Sequence, residues 1–153
     1  MKKLEIIIAH LESHIPKHAY RNPEISKGSV GWHIEHALLT LNAVIDTMSR
    51  SDPAKYKKTF DIRRTVVMTM GKIPRGKAKA PAAVQPTLNF NAETLEQHIA
   101  LSKEKIKTIE HLSPDRYFKH PFLGDFKVKV ALRFLSIHTN HHLVIIEEII
   151  NKK

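Results

Sequence analysis

From Phe126 to the last residue the chain contains neither glycine nor proline, and this unbroken stretch constrains the fold more than any other feature. Its middle, residues 131–150, reads ALRFLSIHTNHHLVIIEEII. Ala131, Phe134, Leu135, His138, His142, Ile145, Ile146 and Ile149 recur at the three- and four-residue spacing of one helical face, which predicts a long final helix with a core-facing stripe. Two imidazoles lie in that stripe. Residues four apart stand roughly 6 Å apart along a helix axis, so His138 and His142 project side by side, and neutral rings so placed can share a divalent ion. An isolated His-x-x-x-His on an apolar face is more often a pair of core histidines, so the rest of the chain has to decide.

Three more amphipathic segments precede it. Residues 2–18 carry Leu4, Ile7, Ile8, Leu11 and Ile15 at helical spacing. Ser29 is an N-cap for a second helix with Val30, Ile34, Ala37, Leu38, Leu41, Val44, Ile45 and Met48 on one face, and Asp52-Pro53 lies just beyond its end. A third helix is expected from about Ala92 to Leu112, opened by Asn91 with Glu93 and Glu96 near its positive end and stopped by Ser113-Pro114. Gly124-Asp125 breaks the chain again, with Asp125 the expected N-cap of the final helix. The β-branched run Phe60–Met70 permits a strand, but an isolated strand has nothing to pair with, so a shorter helix is expected there. Residues 71–90 form a long connection punctuated by prolines, of the kind that contacts ligands or partners. The expectation is one all-α domain over 1–153, a four-helix bundle with long crossover connections and a short extra helix. Ligand sites in bundles lie between facing helices.

Composition removes several function classes. With no cysteine, disulfides, thiolate metal sites and cysteine nucleophiles are excluded, leaving His, Asp and Glu as the strong ligands. No segment approaches about 18 uninterrupted apolar residues, and the N-terminal apolar stretch is too short for a signal core, so a cytoplasmic protein with no membrane span is expected. The net charge of +10 invites a nucleic-acid reading. The lysines are nevertheless spread over every segment, and the densest run, Lys72 through Lys79, has no aromatic interleaving or RNA-reading motif. Solvated helix faces account for them, and nucleic acid is the least favoured partner. There is no HExxH and no defensible Ser-His-Asp order, and five glycines build no phosphate-cradling loop.

A metal site of the catalytic kind takes three protein ligands and leaves a position open. The source of the third is Trp32-His33-Ile34-Glu35-His36 in the second helix. Measured from Leu41 at the centre of the apolar face, His33 falls about 80° away and His36 about 140°, so periodicity points to His33 while a broad buried face still admits His36. The segment SVGWHIEHALLTLNAVID resembles the second-helix motif of the DinB/YfiT-like superfamily, in which a Ser or Thr cap precedes a ligand histidine by seven residues. The stretch HPFLGDFKVKVALRFLSIHTNHHLVIIEEII is similar to that family's closing His-x-x-His-His motif, and IPRGKAKAP is similar to a DinB-like subgroup of unknown function.

The resemblance implies a four-helix bundle holding zinc, nickel or a similar divalent ion through His36, His138 and His142. His33 is then the substitute ligand or a group that orients one, and His141 either orients a ligand or substrate or is a core-edge imidazole. Members resembling this chain include thiol-dependent S-transferases and isomerases, and many have no assigned activity. The expected function is therefore that of a metal-dependent enzyme, a thiol S-transferase or a hydrolase, acting on a small thiol or acidic compound steered by Arg75, Lys77 and Lys79. A bundle that holds a metal or ligand without catalysis is the alternative, and a homodimer is an allowed assembly. Of the other histidines, His120-Pro121 reads as a structural turn, His98 and His111 as surface or core-edge residues, and His10, His14 and His18 as a weak second cluster. Trp32 reads as packing or as a pocket wall.

Overall fold

Pro16 ends the first helix earlier than its apolar spacing implies. Proline has no N–H to donate and disfavours helical geometry in the residue before it, so in the computed structural model α1 spans Lys2–Ser13 and the chain continues as a 3-10 turn at Ile15–Lys17, not as a helix to residue 18. The structure describes residues 2–76, 80–87 and 90–152. After a loop, α2 covers Val30–Arg50, and Ser29 caps it by accepting from the Trp32 amide at 3.1 Å. The amides of Val30 and Gly31, which have no partner inside the helix, donate to the carbonyls of Tyr20 and His18. The loop is thereby tied to the start of the helix that carries His33 and His36.

The run after Phe60 is a helix, α3, Ile62–Met70, capped by Asp61 and closed by Gly71 at φ +63°. The connection that follows touches down in a single 3-10 turn, Ala82–Val84. α4, Ala92–Thr108, opens with a reciprocal cap between Asn91 and Thr94 and tightens into a 3-10 turn at Ile109–His111. An antiparallel hairpin then pairs β1, Tyr117–His120, with β2, Gly124–Lys127, placing Phe118 opposite Phe126. Finally α5 runs Val128–Asn151.

The hairpin overturns one expectation. Asp125 does not cap α5: it lies in β2, is only 5% exposed, and its carboxylate accepts from the Lys57 amide at 2.9 Å. α5 starts after Lys127 without a side-chain cap, and its first amide donates to the Arg116 carbonyl. Gly124, at φ +79°, turns the chain into β2 where a Cβ would collide with Thr59.

α1, α2, α4 and α5 form the bundle, with α2 packed against α5, α4 and the hairpin, and α1 against α5 and α4. Ile34, Leu38 and Leu41 of α2 meet Leu135 and Ile146 of α5 in one buried cluster with Leu4, Ile8, Leu95 and Ile99. Each such side chain contributes roughly 1.5–3 kcal/mol of burial, so the α2–α5 seam is rigid ground for anything it carries. Among the described residues no helix is long and apolar enough to cross a membrane.

Candidate metal centre

Because α2 is covered on several sides, its buried arc is wide enough to take both histidines: His33 is 3% exposed and His36 5%. α5 supplies His142, also buried, and His138, half-buried. One nitrogen from each of His36, His138 and His142 lies within 4.8 Å of the other two, and no other set of three or more His, Asp or Glu side chains gathers its donors this way among the described residues. The ring centroids of His36 and His142, and of His138 and His142, are each 4.7 Å apart.

Neighbouring groups hold these rings in place. His36 Nδ1 lies 2.7 Å from the Val84 carbonyl, which can only accept, so Nδ1 carries the proton and Nε2 keeps its lone pair. Trp32 stacks on His36 with centroids 5.2 Å apart and planes 15° off parallel. His142 Nδ1 meets His33 Nδ1 at 3.0 Å, and His33 Nε2 meets Ser26 Oγ at 2.9 Å. His33, the residue periodicity selects, thus stands behind His142 while His36 stands in the cluster. Only His138 lacks such support: its Nδ1 is buried and has no hydrogen-bond partner among the described residues. A buried imidazole nitrogen left unpaired costs about 1–3 kcal/mol, a cost that neither His36 Nδ1 nor His142 Nδ1 carries.

The electrostatics keep the rings neutral, the form that ligates. Burial first, and the neighbouring imidazoles second, push His138 down to about 3 and His142 well below the ordinary histidine value. Burial and then His36 lower His33 to about 4. His36 is also lowered by burial, partly offset by its bond to Val84. Among the described residues no carboxylate joins the cluster. Glu35, 6% exposed, points across to α4 and pairs with His98 Nδ1 at 2.8 Å. Glu148 holds Arg75 through two contacts of 2.7 and 2.9 Å.

The remaining sequence expectations divide. His141 is half-buried at the rim, its ring edge-on to His142 at 5.2 Å. Arg75 is engaged by Glu148 on the exposed side of α5, and Lys77 and Lys79 lie outside the described residues. His120 is the last residue of β1, and its Nδ1 holds the hairpin turn by accepting from the amides of Phe122 and Leu123. His10, His14 and His18 do not converge as donors. Ser26 and the Val84 carbonyl were missed: one is a loop hydroxyl and the other a backbone atom 48 residues from its partner, and neither leaves a local sequence signal. A cleft of about 350 Å³ lined by Lys3, Arg133, Ser136 and Asn140 contains none of the cluster histidines. It gathers no set of donors, so the chemistry belongs to the cluster.

A helical bundle with three converging imidazoles between two of its helices is the architecture of a metal-binding helical protein. A sequence profile described as the DinB superfamily matches residues 4–146, and the chain belongs to that superfamily, a metal-binding helical family. No curated protein and no solved structure gives a match to the chain.

Proposed function

We propose that His36, His138 and His142 hold one divalent ion, and that the protein is a metal-dependent enzyme of the thiol S-transferase or hydrolase type. The observation that carries this reading is the convergence of three imidazole nitrogens within 4.8 Å. The donor set is all nitrogen, with no thiolate or carboxylate, which suits zinc or nickel and not the oxygen-seeking magnesium or calcium. When bound, such an ion polarises a carbonyl or lowers the pKa of a water or thiol at its open position. The chain supplies the setting: Val84 orients His36, Trp32 walls one side, and the apolar seam excludes water from the rings. A small thiol or acidic compound is the substrate class we favour.

One observation favours a second reading, a bundle that holds a metal without catalysis. Glu35 and Glu148 are committed to other partners, and no carboxylate gathers with the three histidines among the described residues, so no carboxylate acid–base group stands in the cluster. Metal analysis of protein purified without an affinity tag, followed by a thiol-conjugation screen and a hydrolase screen, separates the two. One equivalent of metal with turnover supports the enzyme; one equivalent with no turnover under either screen supports the second reading; no metal sinks both.

A further inference from the structure

We propose that Ser26 and His33 form a tautomer-setting relay behind His142, presenting the Nε2 lone pair of His142 to the cluster; this rests on reading His142 as a metal ligand. The relay is continuous. The Gly28 amide donates to Ser26 Oγ at 3.1 Å, Ser26 Oγ meets His33 Nε2 at 2.9 Å, and His33 Nδ1 meets His142 Nδ1 at 3.0 Å.

Two facing ring nitrogens share one proton, so the chain of contacts has two neutral arrangements. In one, the Ser26 hydroxyl donates to His33 Nε2, His33 Nδ1–H donates to His142 Nδ1, and the remaining proton of His142 sits on Nε2. That arrangement blocks the nitrogen turned away from His33. In the other, His142 Nδ1–H donates to His33 Nδ1 and His33 Nε2–H donates to Ser26 Oγ. His142 Nε2 is then unprotonated. Both arrangements contain the same number of protons: in passing from the first to the second, the His142 Nε2 proton leaves to solvent and the Ser26 hydroxyl takes one up to replace the proton it passes to His33 Nε2, so the net change is zero. Holding the second arrangement is what a positioning pair behind a metal-binding histidine does: it fixes the ring, its tautomer and its basicity.

Gly28 is the sequence device that allows the close approach. A Cβ there would lie 2.9 Å from the Trp32 ring and 3.3 Å from His33 Nε2. Any larger residue would push the Ser26 loop off the His33 edge, or push Trp32 against His36, on which it stacks. Ser26, Gly28, Trp32 and His33 therefore act as one support for the rings that face α5. His36 has a separate support in Val84, and His138 has none among the described residues.

The test uses the full chain with zinc and cobalt as probes. Affinity is read by competition with a chelator, cobalt coordination by its visible absorption, and folding by circular dichroism. His33→Phe keeps a ring but removes the acceptor, and should weaken binding about 10–100-fold and alter the cobalt spectrum. His33→Asn, whose Oδ1 occupies the place of Nδ1, should restore most of both, and Ser26→Ala should fall between. In zinc-loaded wild-type protein, long-range nitrogen NMR should show His142 protonated at Nδ1 and His33 at Nε2, a readout that needs no variant. Unchanged affinity in His33→Phe, or His33 protonated at Nδ1 in the zinc-loaded chain, overturns the relay. His138→Ala is the control. If it keeps full zinc binding, the three-histidine reading falls and the relay with it; if it loses zinc while His33→Phe does not weaken binding, the relay alone falls.

Discussion

Two regions of this molecule bury histidine, and they do so to opposite effect. At the hairpin, His120 is packed among Phe118, Phe126 and Phe134, burial alone lowers it to about 4, and its Nδ1 accepts from two backbone amides. At the α2–α5 seam, His138 is lowered further, to about 3, yet its Nδ1 has no partner among the described residues. Burial and a depressed pKa are common to both. The difference is where the lone pairs go: His120 spends its acceptor on the chain's own turn, whereas the seam turns three imidazoles toward each other. A buried histidine signals a ligand only when its hydrogen-bonding capacity is left over.

The largest effect should separate these regions outright. His138→Ala and His142→Ala should each abolish stoichiometric zinc binding, because two remaining nitrogens hold a divalent ion poorly. His120→Ala should keep one equivalent of zinc while destabilising the fold by about 1–3 kcal/mol, since two amides lose their acceptor. Elemental analysis alongside urea unfolding reads both. Zinc loss in His120→Ala with an intact fold would erase the distinction.

A finer division lies within the seam. His36→Ala should lose the ion, and His33→Ala should leave stoichiometry near one at weaker affinity. The reverse outcome would make His33 the ligand and the contact of His36 with Val84 purely structural. Titration of each variant with zinc against a chelator decides it.

That division marks how far the sequence could be read. The four bundle helices were legible because their cores repeat at helical spacing and Ser29 and Asn91 announce their starts, both of which cap as expected. Pro16 is an equally local signal for where α1 stops, whereas the apolar spacing of Ile15 runs past it, because the burial of Ile15 comes from the turn and not from a helix. The hairpin was not legible: its strands are four residues each, too short for periodicity, and the role of Asp125 is set by an amide 68 residues away. Between His33 and His36, periodicity gives an angle on α2 but not the position of α5. Both fall within the buried arc, and only the packing shows that His36 faces His138 while His33 backs His142.

Acid should act on both regions with the same sign. His33 and His120 sit at about 4 and His138 at about 3 in the folded chain, against 6.5 when unfolded. The unfolded state therefore binds more protons between these limits, so stability is full above about 6.5 and is lost as pH falls toward 4 and below. Near pH 5 these three residues alone make unfolding take up roughly three protons. His120→Gln, which keeps an acceptor, should reduce that uptake by about one without changing zinc stoichiometry. Urea midpoints that stay flat from pH 7 to pH 5 would mean that the rings are hydrated in both regions.

The smallest effect should come from the one side-chain tie seen among the described residues between the 71–90 connection and α5. Arg75 and Glu148 meet on an exposed surface, with side chains 43% and 32% accessible, so their pairing is screened and adds little to stability. Arg75→Ala should leave the urea midpoint and zinc affinity unchanged, because the connection supports the cluster through the Val84 carbonyl and not through this ion pair. A loss of zinc affinity comparable to that of His33→Ala would show that the connection is held over His36 from its far end. The support of the seam would then include this ion pair as well as the Val84 carbonyl.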